Sequence, residues 1–424
     1  MRYYPRRAQY HLSRSHHPSS RYPPWFSTMS PTLPPELFDE TIDHLWDDST
    51  ALQACSLTCR AWLPSSRLHL FRTVRLRNAD DCTRFTALLT AVPSVGHYVR
   101  KLSLSAEYDG VDSEGGAREN DGWVNAAAPL LTRLTGISSL GIARVRWGAL
   151  LPETHAAFFA LFRTVRTLFL FEVKFSASRD VLDFLSAFPV LDELYFQGVS
   201  WAHDSPPPLE DDSPSDLVPA VLMSQDRMQL THLFLDPRSS PTLVTEWLLG
   251  HPSEQRLRTI QLCWHDLDNT KPVRDLLHAS GASLETLQVE FPPGIAEDAV
   301  LQDHLSLAHN TGLRSLHFGG LNVNTLHSFL STRLFPWVTA MLAQIRSTRL
   351  EEVSFALEIA SVGDLRALDW ARIDAELSRD VFHGLAVLFY VSCAREAPEK
   401  DVRDEITRRL AGFQQRGSLC ISCI

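Results

Sequence analysis

Val165-Arg166-Thr167-Leu168-Phe169-Leu170 (VRTLFL) is the stretch that decides the fold. Val165, Leu168 and Leu170 hold its first, fourth and sixth places, and Leu168 and Leu170 share one face of a β-strand while Phe169 between them takes the other. The pattern recurs as Val99-Leu102-Leu104, Ile137-Leu140-Ile142, Leu191-Leu194-Phe196, Leu230-Leu233-Leu235 and Leu257-Ile260-Leu262. It continues as Leu284-Leu287-Val289, Leu313-Leu316-Phe318 and Leu350-Val353-Phe355, with a further copy around Leu385 and Val387.

Successive copies start 38, 28, 26, 39, 27, 27, 29 and 37 residues apart, and the intervals of 26–29 fall in the length range of leucine-rich repeats. Between the strands, 152–162, 178–188 and 241–249 carry apolar residues at three- and four-residue spacing behind a turn residue, which predicts helices. Strand then helix, repeated, predicts an α/β fold over residues 77–394: an irregular leucine-rich-repeat solenoid with an inner parallel sheet and outer helices. Few copies carry the Asn that many such repeats place after the strand, so the turns are irregular and the repeat class stays open. An ordinary α/β domain is the alternative, and the near-constant spacing favours the solenoid. Residues 106–122 (acidic, Gly-rich) and 202–216 (acidic, Pro-rich) read as exposed insertions. Val402, Ile406, Leu410 and Phe413 form a stripe on a charged helix, so 395–424 reads as a cap helix and tail.

Within each strand the residue between the two inward apolar positions points outward. These residues read Ser103, Gly141, Phe169, Tyr195, Phe234, Gln261, Gln288, His317 and Ser354. Three consecutive ones are aromatic, and Phe171 adds a fourth ring two places along from Phe169. Aromatic residues dominate protein-binding hot spots, so Phe169, Phe171, Tyr195 and Phe234 are the candidate anchors for a protein target.

Upstream lies Leu33–Leu76, LPPELFDETIDHLWDDSTALQACSLTCRAWLPSSRLHLFRTVRL. Its prolines sit at a helix start, and Leu37, Phe38, Thr41, Ile42 and Leu45 follow at helical spacing. Asp47-Asp48-Ser49-Thr50 is a turn and N-cap cluster. A second helix carries Leu52, Cys55 and Leu57, and a third short one carries Cys59 and Trp62 and stops near Pro64. So small a unit buries little surface alone and calls for a partner.

This stretch resembles an F-box, the module that docks a protein onto the adaptor of a cullin–RING ubiquitin ligase. Leu33, Pro34, Glu36 and Leu37 match its opening, Ile42 and Leu45 its middle, and Thr58-Cys59-Arg60-Ala61-Trp62 its close. Leu70–Val74 looks like the exit seen in many fungal F-box proteins, whereas Thr41 and Trp46 stand where aliphatic residues are more usual. The resemblance implies an F-box over 29–76. It implies a substrate-recognition subunit of an SCF-type ligase, bound to the adaptor and through it to cullin. It also implies adaptor contact among Leu33, Pro34, Ile42, Leu45, Leu52, Cys55, Leu57 and Trp62, some of which must be internal core. Trp62 is the expected internal anchor, since a large ring is what a small module packs around. The runner-up is an F-box protein that binds targets as a scaffold without promoting ubiquitination.

Composition narrows the rest. A net charge of −10 argues against nucleic acid as the main partner, and no apolar run is long enough to span a bilayer. Seven scattered cysteines without framework spacing fit reduced thiols, hence cytoplasm or nucleus. The C-x-x-C at Cys420 and Cys423 lacks a second pair and a placed His, so no metal or other cofactor is expected. Residues 1–28 hold five Arg and no Asp or Glu, and read as a disordered leader, with a transit peptide as the alternative. No G-x-S-x-G, P-loop, G-x-G-x-x-G or H-E-x-x-H occurs, and the expectation is a non-catalytic protein. Only Lys101, Lys174, Lys271 and Lys400 offer acceptor amines for self-modification by an attached ligase.

Overall fold

In a computed structural model of the chain, residues 34–111, 117–201, 230–236, 241–250, 256–264, 270–293, 305–323, 334–382, 384–393 and 397–423 are described. Leu33, the leader 1–28 and the insertion 202–216 lie outside them. The chain forms two compact units, Met1–Ser66 and Arg67–Ile424.

The larger unit is mixed α/β and is built on one parallel sheet of twelve strands. These are β1 (Thr73–Leu76), β2 (Lys101–Ser105), β5 (Ser139–Ala143), β6 (Thr167–Phe171), β8 (Glu193–Gln197) and β10 (His232–Leu235), followed by β11 (Thr259–Cys263), β12 (Thr286–Glu290), β13 (Ser315–Asn322), β14 (Glu352–Ile359), β15 (Ala386–Cys393) and β16 (Ser418–Cys423). Each ladder strand lies beside the next ladder strand of the chain, so no strand order is exchanged. Two small sheets branch off: β3 (Glu107–Val111) against β4 (Ala117–Asn120), antiparallel, and β7 (Lys174–Phe175) against β9 (Ser200–Trp201).

The register explains the periodicity. Leu102, Leu140, Leu168, Leu194, Leu233, Ile260, Leu287, Leu316 and Val353 are Cα partners from strand to strand. The third apolar position makes a second row, and the first packs just ahead of each strand. In all nine copies every one of these side chains is at most 4% exposed. Phenyl rings stack along the second row, Phe318 to Phe355 at 5.2 Å and Phe355 to Phe389 at 4.7 Å. A one-residue slip would turn both rows outward, which fixes the pairing.

Ahead of each strand a carbonyl joins neighbouring rungs. Arg166 O accepts from Asp192 N and Glu193 N, and Asp192, Thr231, Arg258, Glu285 and Arg314 repeat the arrangement. Helix ends are closed by the following segment, as their orphan carbonyls require. Asn310 Nδ2 donates to Leu277 O and Gly281 O, and the Arg379 guanidinium to Leu342, Ala343 and Ile345 carbonyls. After β5, β6 and β8 the chain turns through left-handed residues at Arg144, Glu172 and Gly198. Arg144 N and Glu172 N then donate 2.8 Å hydrogen bonds to the last carbonyl of the next strand. The regular device is thus a backbone one, carried by residues other than Asn.

Several expectations change. Residues 106–122 are not simply a loop: β3 and β4 pair as a ribbon, and it closes on Asp121, 3% exposed and bound to Arg146. Thr73 and Val74, which close the Leu70–Val74 stretch expected as the F-box exit, belong to the first ladder strand, β1. The expected tail after the helix Glu399–Arg409 contains the twelfth, β16. The expected helices appear at Pro152–Phe162, Ser178–Ser186 and Pro241–Gly250. No helix among the described residues is long and apolar enough to cross a membrane.

The smaller unit holds α1 (Pro35–Asp43) and α2 (Ser49–Thr58), and α3 (Leu63–Arg72) begins within it. Asp48 Oδ1 caps α2, accepting from Thr50 N and Ala51 N at 3.0 and 2.9 Å. Pro64 does not end a third helix. It stands in the first turn of α3, where its missing N–H costs nothing, while Cys59 is extended at φ −157°.

Candidate functional site

Parallel sheets are ordinarily covered on both faces. In this one, most ladder strands alternate buried residues with half-exposed or exposed ones, and the alternation breaks at Ser139 on β5, Gly319 on β13 and Ser354 on β14, which are buried. Among the described residues one face is therefore packed and the other largely open. The register brings Gly141, Phe169, Tyr195, Phe234 and Gln261 into one row across β5 to β11.

Phe169 stacks on Tyr195 with ring centroids 4.3 Å apart and 16° between planes, and Tyr195 on Phe234 at 6.2 Å and 30°. Parallel strands about 4.8 Å apart impose such a stack on rings at equivalent positions. Phe169 remains 41% exposed. Phe171 stands on the same face two residues along, and the Arg144 guanidinium lies 5.5 Å from its ring centroid. Arg144 Nε also meets Glu172 at 3.2 Å. Burial, with Glu193 adding to it, raises the Tyr195 hydroxyl above its ordinary pKa, so it stays neutral at pH 7. The four residues singled out from the sequence therefore share one exposed face, with three of them in continuous ring contact.

The row turns polar beyond Phe234. His317 Nδ1 and Ser354 Oγ share a hydrogen bond of 2.7 Å, and Cys263 Sγ donates to Glu290 at 3.4 Å. Burial lowers the His317 pKa despite Glu352 and Glu290, which leaves the imidazole neutral. Burial first, then Glu290, pushes the Cys263 thiol up to about 12. A neutral thiol and a buried hydroxyl (Ser354, 3% exposed) are poor nucleophiles. At the far edge, Cys420 is exposed and Cys423 half-buried. Residues three apart on a strand face opposite ways, so this C-x-x-C cannot close on one ion. No group of three or more His, Cys, Asp or Glu suited to a metal occurs among the described residues.

An open cavity of about 690 Å³ lies ahead of β11 to β14, lined by Arg256, Arg258, Arg314 and Arg349 among others. Two of these charges alternate with acids on successive rungs, Arg258 with Glu285 at 3.7 Å and Arg314 with Glu351 at 2.6 Å. The helices Pro241–Gly250 and Lys271–Ser280 both end at its wall.

In the smaller unit the candidate adaptor residues divide. Ile42 (1% exposed), Leu52 (1%) and Cys55 (9%) are buried, and none belongs to the large apolar cluster of the sheet. Trp62 is half-buried, its ring 5.6 Å from Phe38, and Leu45 is half-buried too. Pro34 is exposed, and Leu57 is 87% exposed. Two further apolar side chains stand in solvent, Leu37 at 44% and Trp46 at 68%. Trp46 was visible in the sequence only as a departure from the aliphatic pattern, and no α-helical stripe includes it. A solvent-facing indole and two leucines are thus exposed apolar side chains among the described residues of this small unit. No family model and no curated protein matches the chain.

Proposed function

We propose that the chain is the substrate-recognition subunit of an SCF-type cullin–RING ubiquitin ligase. In this reading the F-box assigned to residues 29–76 docks the adaptor, and the twelve-strand unit is a leucine-rich-repeat solenoid that captures a protein target. The observation that carries it is the pairing of two features on one chain. Leu37, Trp46 and Leu57 stand exposed beside a buried Ile42–Leu52–Cys55 set, as a helical docking module requires. The open sheet face carries the Phe169–Tyr195–Phe234 stack, an aromatic hot spot of the kind proteins use to hold one another.

The chain would act by proximity alone. The adaptor side fixes it to the ligase, and the target side raises the local concentration of client lysines near the transferring enzyme. The test is co-expression of the full chain with an SCF adaptor protein. A stable complex that recruits cullin and leads to client ubiquitination is the expected result. A complex with adaptor but no cullin and no modified client would favour the scaffold reading. No adaptor binding at all would overturn the proposal.

A further inference from the structure

We propose that the gap above Gly141 is a slot for an aromatic side chain of the captured partner, which continues the Phe234–Tyr195–Phe169 stack by one ring. The inference rests on the open sheet face being the capture surface, and it names the chemistry that face selects.

The stack runs across the strands, and its β6 end is unfinished. Tyr195 covers one face of the Phe169 ring. The other face looks toward β5, where the Cα partner of Phe169 is Gly141. Gly141 has no side chain to cover it, and Phe169 is 41% exposed as a result. The next residue in the row is Ser103 on β2, itself small. Ser103 and Phe169 stand two strand spacings apart, about 9.6 Å. A flat ring in van der Waals contact needs about 3.5 Å on each side. One ring fits between them, with the Gly141 backbone as floor. A methyl group at Gly141 would come no closer than 3.5 Å to any neighbour, that one being Ser103 Oγ. The glycine is thus not demanded by packing, and its φ is not in the left-handed range.

Charge selects the occupant. None of the outward positions of β1, β2, β5 and β6 is Asp or Glu, while Arg75 and Lys101 are both exposed there. Arg144 already covers the neighbouring Phe171 ring. A partner guanidinium would meet like charge, so the slot suits a neutral ring. A carboxylate beside that ring would meet Lys101 or Arg75. From β8 to β14 the sign reverses: Glu193, Glu290 and Glu352 point to the open face, and no Lys or Arg does. The partner motif is therefore Trp, Tyr or Phe with an acid on one side and a base on the other. The acid lies toward β2 and the base toward β8.

The test is panning a random phage-displayed peptide library against the full chain, followed by fluorescence anisotropy on a synthetic copy of the enriched peptide. Enriched sequences should share an aromatic residue with a neighbouring Asp or Glu. Gly141→Leu, which fills the slot, should weaken the synthetic peptide roughly tenfold or more. Gly141→Ala should bind close to wild type. Ser103→Trp fills the same slot from the opposite wall and serves if Gly141→Leu proves unfolded by circular dichroism. No enrichment, enrichment without aromatic residues, or full binding by the filled-slot variants would overturn the slot. If Phe169→Ala abolishes binding while Gly141→Leu does not, the slot falls and the capture surface stands. If neither changes binding, the capture surface falls with it.

Discussion

Leu57 and Ile42 separate docking from folding. Leu57 is 87% exposed, so the free chain derives little stability from it, and Leu57→Ala should shift unfolding by less than about 0.5 kcal/mol. In a complex that covers Leu57, the substitution removes three carbons worth about 0.8 kcal/mol each, or about 2 kcal/mol after allowing for partial exposure. That corresponds to roughly 30-fold weaker adaptor binding. Ile42 is 1% exposed, and Ile42→Ala should cost about 2–5 kcal/mol of folding free energy, enough to unravel a three-helix unit. Titration calorimetry of the full chain with adaptor protein reads the first effect. Hydrogen exchange over 34–66 reads the second. Leu57→Ala with wild-type affinity, or with lost protection in α1 and α2, would refute the assignment of Leu57 to the docking surface.

Three further outcomes test the larger unit. Phe169→Ala combined with Tyr195→Ala should abolish client capture while adaptor affinity stays unchanged, measured by pulldown on the two sides separately. Burial raises the Asp121 carboxyl pKa, but hydrogen bonds from Arg146 N, Nε and Nη2 outweigh it and hold the value below the ordinary one. The stability this contributes is complete above the unfolded pKa of about 3.9 and is lost as pH falls through the folded value. Asp121→Asn should therefore cost about 1.5–3 kcal/mol in urea unfolding at neutral pH and much less near pH 2. The Cys263 thiol, at about 12, should resist iodoacetamide at pH 8 while exposed Cys59 and Cys420 are alkylated, as mass mapping would show. Rapid labelling of Cys263 in the folded chain would contradict the burial and the Glu290 contact.

How much of this was legible in the sequence depended on which side of a strand a residue faces. The inward rows were readable because each rung needs three apolar side chains at fixed offsets, and the copies recur at a near-constant interval. The first strand was readable too, since Phe71, Val74 and Leu76 repeat the pattern 28 residues before Val99, but the stretch also fitted the end of the helical module. The last strand was hidden for a physical reason. Its first apolar place holds Arg416, which turns out to Ser378 O and Asp380, and Phe413 fills the core beside Gly417 instead. Asp121 gave no signal, because its partner Arg146 lies in the following repeat and neither residue belongs to the apolar pattern.

The outward rows obey a different rule. Most of their residues carry little share of the core, so packing leaves them freer to vary, and they do: Gly141, Phe169, Tyr195, Phe234 and Gln261 occupy equivalent places on successive strands. A scaffold alone would be satisfied by small polar residues in every one of them. Three adjacent large rings, with Phe169 41% exposed and Tyr195 and Phe234 half-buried, raise the exposed apolar area, which favours aggregation unless a partner covers them. The helical unit poses the same problem with Leu37, Trp46 and Leu57. Apolar surface at two separate places is a liability for an isolated chain and an asset for one that holds two proteins at once. This is why the two surfaces are best explained together, and why a variant that silences one should leave the other at full strength.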